Sequence, residues 1–551
     1  MPELISIQLH CGWVALVLGL WTTAAFAADT RPPTVRITSP KANARLTNHL
    51  VTVQGTASDA GGLAVVQYRW NGGEFQDAVG TTTWSAMVEM TAGTNLFEVK
   101  SIDTSSLTSV VASIKVVFVV PSSFTLTPPQ GGTVTPTPAP MLEVGRGYAL
   151  TAKPAPGNIL SNWTGSVLAN PITTSKINFI MVSNGTLQVN FITNVFRPTK
   201  GTYNGLFTQS PTARHETSGT VLLTLTESGA FTGTLILAGK RHPLKGQFSL
   251  VAQSLVGEFA RASIEIPRPG TTMLQVELAL FPDGSITGLV NSTDSEWAMS
   301  PSTLSADRAV FSMATGNPCP QKGKYTVVFP GSDYPDDPLF PEGWGYGTVA
   351  IDGNGKLKLA GTLGDGTKIT HTATVSAAPI GAWPLYLSLY GGKGSLLGYI
   401  TFDFDPTLVD DFNGLVTWTK PPTPAAKYYP AGFEMETFAA GSIYIAPSNP
   451  PSPVIQVVDP KVELSKGNLD DPLITKVSLS AANKVAINST DTSGNKLTMT
   501  ITSASGLIKG GVTPAGETKP ISFGGVIFQK QQIAYGFFLG TNQSGNFYFG
   551  D

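Results

Sequence analysis

The residues best suited to contact a ligand lie in one segment, residues 331–347, which reads GSDYPDDPLFPEGWGYG. Tyr334, Trp344 and Tyr346 stand in it among prolines, glycines and acidic residues. Aromatic rings on an exposed loop can stack on the apolar faces of sugars, while nearby carboxylates accept hydrogen bonds from hydroxyl groups. The segment therefore predicts a carbohydrate-binding loop. The alternative interpretation is that these rings cap the open end of a β-barrel.

Residues for catalysis are harder to find. The sequence has no Gly-x-Ser-x-Gly, the motif that holds a nucleophilic serine on a strained turn, and no Gly-rich phosphate-binding or Rossmann motif. Ser493 and Lys496 match Ser-x-x-Lys, but DTSGNK is typical of a hairpin turn. We predict that the protein is not an enzyme. A glycan-active enzyme remains an alternative, and it would need two carboxylates facing one cleft.

Metal ligands are sparse. The histidines His49, His215, His242 and His371 are scattered and lack the spacing of a zinc site. The densest acidic patch comprises Asp403, Asp405, Asp410 and Asp411. Ca²⁺ binds carboxylates of this kind, but the pattern is not an EF-hand, and a solvated loop is the favoured interpretation. We expect no metal and no cofactor.

The composition restricts the fold and the class of partner. Of 551 residues 58 are Gly and 41 Pro, and charged residues make up only 13%. The net charge of −2 argues against a nucleic-acid partner, since such proteins usually carry a basic excess. A hydrophobic share of 41% argues against a disordered chain. Together with the abundance of turn residues, this composition predicts an all-β protein.

The first residues predict export. The apolar run CGWVALVLGLW (11–21) is followed by TTAAFA, whose small residues suit a signal-peptidase cut after Ala27. Residues 1–10 contain no Lys or Arg, which departs from the usual pattern. We expect a signal peptide over residues 1–27, an extracellular or cell-surface location, and no membrane span after cleavage. Cleavage would leave Cys319 as the single cysteine, which excludes an intrachain disulfide.

Residues 30–120 alternate apolar and polar side chains between turn signals, as expected for a small sandwich. The stretches PPTVRITSP (32–40), VTVQGTASDAGGLAVVQYRW (51–70) and WSAMVEMTAGTNLFEVKSID (84–103) resemble a bacterial immunoglobulin-like domain. Domains of this type are attached to exported glycosidases and adhesins. The resemblance implies a spacer or a binding module, and the alternation places Trp84 in the core.

Residues 122–195 carry a second pattern: GGTVTP (131–136), GYALTAKPAPG (147–157), NWTGS (162–166) and INFIMVSNGTLQVNF (177–191). In order and spacing these motifs resemble the bacterial repeat related to the B-repeats of internalins. That repeat is a small β-grasp-like module of surface proteins. The resemblance implies that Trp163 is a core residue.

Residues 197–551 contain an internal duplication. Gly201-Thr202-Tyr203 recurs as Gly323-Lys324-Tyr325, residues 219–240 recur as 347–368, and the Gly-Ser-x-x-Gly segment of 276–288 recurs in 385–398. The pattern predicts two antiparallel barrel or sandwich units, 197–318 and 319–446. Gly233 and Gly361 lie inside strand-like runs, where glycine marks a bulge or a tight bend.

Residues 447–551 begin with a Pro-rich stretch, which predicts a stiff connector. We expect the β segment that follows to complete the barrel of the second unit. The C-terminal region is similar to hypothetical exported proteins of the Verrucomicrobia type, which implies a setting and no activity.

These features favour a non-enzymatic exported protein of the cell surface or envelope. It would act in adhesion or interaction through stacked β modules, with a cell-surface polysaccharide or an envelope protein as its partner. The alternative is a carbohydrate-binding accessory protein that uses residues 331–347.

Overall fold

The computed structural model describes residues 29–251, 257–297, 300–332, 337–377, 381–403, 405, 408–448 and 452–551. Nearly all regular structure in these ranges is β-strand, so the all-β prediction is confirmed. The exceptions are α1 (Phe196–Thr199) and two single turns of 3₁₀ helix, Ser295–Trp297 and Tyr390–Gly392. Within the described ranges we find no helix with the length and apolarity needed to cross a membrane. The predicted signal peptide lies outside the described residues and stays a prediction. The chain divides into two compact units, Met1–Ile192 and Thr193–Asp551.

The first unit begins with an immunoglobulin-like sandwich. Its sheets have the strand orders β1-β3-β6 and β2-β8-β7-β4-β5. The strands are β1 (Thr34–Ser39), β2 (Arg45–Leu46), β3 (Leu50–Ser58), β4 (Leu63–Trp70), β5 (Gln76–Asp77), β6 (Thr83–Glu89), β7 (Gly93–Asp103) and β8 (Ala112–Phe118). Trp84 is buried and stacks on Phe97, with 6.1 Å between ring centroids. The alternation of β6 and β7 thus delivers one aromatic ring from each sheet to a shared core, as predicted for Trp84.

A smaller two-sheet module follows, with the strand orders β10-β12-β14 and β11-β9-β15-β13. Its strands are β9 (Pro121–Thr127), β10 (Gly132–Thr135), β11 (Met141–Glu143), β12 (Gly147–Pro154), β13 (Asn158–Thr164), β14 (Lys176–Ile180) and β15 (Gly185–Thr193). Trp163 is fully buried, and its indole nitrogen donates to the Thr174 carbonyl at 3.1 Å. The burial of its ring confirms the predicted core role of Trp163.

The second unit contains three successive antiparallel sheets, which we call the first, second and third barrels. The first barrel comprises β16 (Gly201–Thr208), β17 (Gly219–Leu225), β18 (Ala230–Leu237), β19 (Lys240–Gln247), β20 (Ser249–Leu250), β21 (Ala260–Ile266), β22 (Leu274–Leu280), β23 (Ile286–Asn291) and β24 (Ser302–Arg308). The second comprises β25 (Gly323–Phe329), β26 (Gly345–Ile351), β27 (Lys356–Thr362), β28 (Lys368–Thr374), β29 (Ala382–Leu389), β30 (Gly394–Phe402), β31 (Phe412–Lys420) and β32 (Phe433–Ile443). The third comprises β33 (Lys461–Lys466), β34 (Leu473–Leu479), β35 (Val485–Ile487), β36 (Lys496–Thr502), β37 (Leu507–Thr513), β38 (Ile521–Phe528), β39 (Ile533–Leu539) and β40 (Ser544–Gly550).

All three sheets follow one plan. The strands of each sheet form two meanders, and the first strand of the sheet pairs with the last, as β25 does with β32. In the second barrel the meanders are β25–β28 and β29–β32, whereas in the third they are β33–β35 and β36–β40. Each sheet therefore curls until its two outer strands approach each other. In the first barrel β19 continues after Phe248 as β20, which pairs with β21. In the third barrel a bridge between Lys484 and Thr500 links the two meanders. The sheets are nearly closed barrels, which leaves few unpaired edges.

The barrels are filled because their strands alternate with period two. In β27 the side chains of Leu357 and Leu359 are buried, while Lys356 and Lys358 are exposed. The largest fully buried side chains of the second barrel are Phe329, Trp383, Phe402, Phe412 and Trp418. Apolar contacts also join neighbouring barrels, as between Leu206 of the first and Tyr386 of the second.

The first two barrels begin in the same way, as the duplication predicts. Tyr203 and Tyr325 occupy the first strands β16 and β25, and both are buried. Each hydroxyl donates to the backbone carbonyl four residues earlier, Tyr203 to Thr199 and Tyr325 to Gln321, the latter at 2.8 Å.

The predicted equivalence of the two Gly-Ser-x-x-Gly segments was wrong. Gly398 lies in β30, the sixth strand of the second barrel. Gly288 lies in β23, which is the seventh strand of the first barrel when β19 and β20 are counted as one strand. A glycine-containing turn between two apolar strands suits any hairpin of a meander, so this motif does not specify its position.

The C-terminal segment does not complete the second barrel, so that expectation was wrong. Its strands β33 to β40 form a sheet of their own, in which the first strand again pairs with the last. Val454 and Ile455, from the stretch predicted as a connector, are buried in the core of this third barrel. Gly233 and Gly361 lie in regular ladders without a bulge. A Cβ atom at Gly233 would lie 2.1 Å from the Leu222 carbonyl oxygen, so the strands approach closely there.

Candidate ligand-binding groove

The segment 331–347 joins β25 to β26 in the second barrel, and only part of it is loop. Trp344 immediately precedes β26, and Tyr346 is the second residue of that strand. Tyr334 lies outside the described residues, so its place relative to the other two rings remains a prediction. The structure describes two of the three predicted site residues, and both are near the contact with the third barrel.

Tyr346 packs against the third barrel. Its ring lies 5.6 Å from that of Phe537, and its hydroxyl approaches Gly524 so closely that a Cβ atom there would be 2.1 Å away. Gly524 is thus the residue that makes room for the tyrosine. Burial raises the pKa of the Tyr346 hydroxyl. These contacts make Tyr346 part of the packing between two barrels.

Trp344 is half-buried, and the two sides of its indole have different surroundings. On one side its indole lies against Tyr535 of the third barrel, with 4.4 Å between ring centroids. This pair belongs to an apolar cluster around Val328, Val526 and Phe528, which holds the second and third barrels together. On the other side Trp344 lines an open groove, which we call the Trp344 groove.

The Trp344 groove has a volume of about 710 Å³, which is within the range of small-molecule sites. Leu415 and Phe438 are directly opposite each other on β31 and β32, and they are 51% and 55% exposed. Phe340 lines the same groove and contacts Phe433 of the core. Trp344, Phe340, Leu415 and Phe438 therefore present an apolar surface to solvent.

Two carboxylates border this surface. Glu434 and Glu436 are exposed and share the outward face of β32 with Phe438, because residues two apart on a strand point the same way. Partial desolvation and the neighbouring carboxylates Glu216 and Glu436 raise the pKa of Glu434, although Arg214 opposes them. Both carboxylates accept hydrogen bonds when ionised. An aromatic surface beside such acceptors suits a ligand with hydroxyl groups and apolar faces.

The acidic patch at residues 403–411 does not form one site. Asp411 is buried, accepts a hydrogen bond from the Ile443 amide at 2.7 Å and pairs with Lys530 of the third barrel at 2.8 Å. Asp410 instead accepts from Asn413 at 3.1 Å. The prediction of a solvated loop was therefore wrong for Asp411, which contributes to the contact between barrels.

Cys319 is free and buried, and burial raises the pKa of its thiol. A thiol that stays protonated is a poor nucleophile, which agrees with the packing role expected for it.

Sequence reasoning missed four residues of the groove: Leu415, Glu434, Glu436 and Phe438. The signal was present in FEMETF (433–438), where Glu434, Glu436 and Phe438 are two residues apart and would therefore share one face of a strand. A large ring on a face otherwise occupied by charges is a sign of an exposed contact surface.

Comparison with known families identifies both modules of the first unit. Residues 33–116 match the bacterial Ig domain, and residues 122–195 match the divergent InlB B-repeat domain. Both resemblances inferred from the motifs are therefore confirmed. Domains of these two kinds are typical of surface proteins. No curated protein matches the chain.

Proposed function

We propose that this is an exported, non-enzymatic protein of the bacterial surface that binds its partner through stacked β modules. The observation that carries the proposal is the series of a bacterial Ig domain and a divergent InlB B-repeat domain ahead of the barrels. The first two modules act as a spacer, and the barrels provide contact surfaces at their outer faces.

The filled interior of the second barrel supports a role in binding for its outer surface. The centre of the second barrel is occupied by Trp383, Phe402, Phe412 and Trp418, so a ligand would meet the outside of this barrel and not its interior. Exposed apolar residues beside carboxylates, as in the Trp344 groove, are suited to such contacts.

A carbohydrate ligand is the second candidate, and the Trp344 groove favours it. Phe438 and Trp344 can stack on sugar rings, and Glu434 and Glu436 can accept hydroxyl hydrogen bonds. The two carboxylates project side by side from one strand. They do not face each other across a cleft, as the acid and base of a glycosidase do.

Location is tested on intact cells of the host. The protein should be cleaved by externally added protease, and mass spectrometry should place its N-terminus near Ala28. Protein that is recovered only from inside the cells, with Met1 intact, would contradict export.

Ligand class is tested by applying the mature protein to a glycan array. Stacking on Phe438 contributes on the order of 1 kcal/mol, so Phe438→Ala should weaken binding about fivefold or more. Its melting temperature should hardly change, because the ring is exposed. The matched control is Ile474→Ala, an exposed apolar residue of the third barrel. Glycan binding that survives Phe438→Ala unchanged would exclude the groove, and an array without any bound glycan would leave a protein partner in its place.

A further inference from the structure

Three aspartates meet at one end of the Ig domain. Asp29 precedes β1, Asp59 directly follows β3, and Asp103 is the last residue of β7. The antiparallel pairing of Thr34 with Ser58 brings the start of β1 to the end of β3. An oxygen atom of each carboxylate lies within 4.8 Å of oxygens of the other two. Segments from both sheets thus bring three negative charges together.

Asp103 is the buried member of this cluster, with only 1% of its surface exposed. Its Oδ1 atom accepts hydrogen bonds from the backbone amides of Ser105 and Leu107, at 2.8 and 2.9 Å. Its Oδ2 atom is buried and has no hydrogen-bond partner, and the same holds for Oδ2 of Asp29. Burying an uncompensated carboxylate oxygen is unfavourable, and three carboxylates also repel one another.

Within the described ranges no ion pair neutralises these three charges. None of the ion pairs between the described residues includes Asp29, Asp59 or Asp103. The amide of Arg31 donates to Oδ1 of Asp29 at 3.0 Å, and the amide of Gly61 donates to Asp59 at 2.7 Å. These bonds orient the carboxylates, and the charge of Arg31 acts on Asp29 from beyond ion-pair distance.

The backbone is shaped to admit the cluster. A Cβ atom at Gly61 would lie 2.4 Å from Oδ2 of Asp29, so glycine is required for Asp29 to approach. Thr104 donates its hydroxyl to the Gly61 carbonyl at 2.9 Å and ties the loop after β3 to the end of β7. The loop that carries Asp59 is therefore fixed beside Asp103.

We infer that Asp29, Asp59 and Asp103 bind a calcium ion, a site that the sequence did not reveal. The ligands are all hard oxygen atoms, which favours Ca²⁺ or Mg²⁺ over zinc and other metals that prefer nitrogen or sulfur. Ca²⁺ fits better because it accepts irregular coordination completed by carbonyls and water, whereas Mg²⁺ demands near-ideal octahedral geometry. The ion joins the segment before β1 to both sheets and so stabilises the Ig domain. This inference does not depend on the Trp344 groove.

The experiment uses the full mature chain, first stripped of divalent ions. Isothermal titration with CaCl₂ should show one site in this cluster, with a Kd at or below about 1 mM, as in other extracellular modules. Hydrogen exchange read by mass spectrometry should show that Ca²⁺ protects peptides containing Asp59 or Asp103, and that EDTA reverses the protection.

Asp59→Asn should weaken Ca²⁺ binding by about tenfold or more and abolish the protection, because one charged ligand is lost. The matched control is Asp77→Asn, an exposed aspartate of the same domain, which should bind like the wild type. Asp103→Asn provides a second variant: without Ca²⁺ it should melt no earlier than the wild type, because a buried charge is removed.

Two results would overturn the inference. One is the absence of any Ca²⁺-dependent heat or protection in the wild type up to about ten times the expected Kd. The other is an undiminished response in Asp59→Asn. An equal response of the wild type to MgCl₂ would overturn the assignment to calcium.

Discussion

The second and third barrels both pair their first strand with their last, but different side-chain contacts stabilise them. In the second barrel Asp365 and Lys420 are 6% and 8% exposed, and their carboxylate and ammonium groups are 2.6 Å apart. The Tyr390 hydroxyl donates to the same carboxylate oxygen at 2.8 Å. In the third barrel Phe523 stacks on Phe547, with ring centroids 4.4 Å apart.

This difference separates what forms the barrel from what stabilises it. Alternating side chains and short turns are common to both barrels, so they suffice for the meander. These side-chain contacts decide how each barrel responds to substitution and to pH. A buried ion pair depends on both partners, whereas stacked rings depend on volume and contact.

The largest expected effect comes from removing one half of the ion pair. Asp365→Ala leaves the Lys420 ammonium buried without its carboxylate, and we expect a loss of about 3–5 kcal/mol in the unfolding free energy of the second barrel. Hydrogen exchange read by mass spectrometry on the full chain would assign the loss to peptides of β25 to β32.

The double variant Asp365→Leu/Lys420→Met provides the control, because it removes both charges and should recover most of the stability. Phe547→Ala in the third barrel should cost about 3–5 kcal/mol without any such rescue. If Asp365→Ala left exchange in the second barrel unchanged, the proposed role of the pair would be incorrect.

The next effect is a pH dependence of the second barrel. Burial lowers the pKa of His371 from its ordinary value of 6.5 to about 4. The unfolded chain therefore binds a proton between these values and the folded chain does not, so stability falls as the pH drops from 6.5 towards 4. The loss is at most about 3 kcal/mol.

Melting of the full chain as a function of pH, with His371→Leu as the comparison, would measure this effect. In the variant, the stability of the second barrel should no longer show the decrease that His371 causes as the pH drops. The fourth strand of the third barrel, Lys496–Thr502, contains no histidine. An identical pH profile for wild type and variant would show that His371 does not cause the dependence.

A smaller effect should appear at the contact between the two barrels. Trp344→Ala removes a half-buried ring from Tyr535, and we expect a loss of about 2 kcal/mol. Phe438→Ala, in the same groove but exposed, should change stability by less than about 0.5 kcal/mol. Calorimetry of both variants would show which ring stabilises the contact between barrels and which is free to contact a ligand. Equal melting temperatures of the two variants would contradict this distinction.

The smallest effect tests what the first and second barrels share. Tyr325→Phe removes the hydroxyl that donates to Gln321 and should cost about 1 kcal/mol. Tyr203→Phe should cost a similar amount in the first barrel, because its hydroxyl makes the equivalent bond. Denaturant titrations that show an effect in only one barrel would indicate that the repeated tyrosine has lost its role in the other.

Local patterns in the sequence determined much of this protein. Period-two alternation and turn residues predicted the all-β class, and the motifs of residues 30–195 identified two modules with Trp84 and Trp163 in their cores. Such features are readable because a strand and its turn are specified by neighbouring residues. The recurrence of Gly-x-Tyr at Tyr203 and Tyr325 marked the first strand of two barrels for the same reason.

Only the tertiary structure decided how distant residues meet. It separated the third barrel from the second and placed Trp344 against Tyr535. It also paired Leu415 with Phe438 and gathered Asp29, Asp59 and Asp103. Each of these contacts joins residues far apart in the chain, and their spacing depends on strand order, register and the curvature of the sheets. Alternation shows which face a side chain occupies, but it contains no information about which other strand that face will meet.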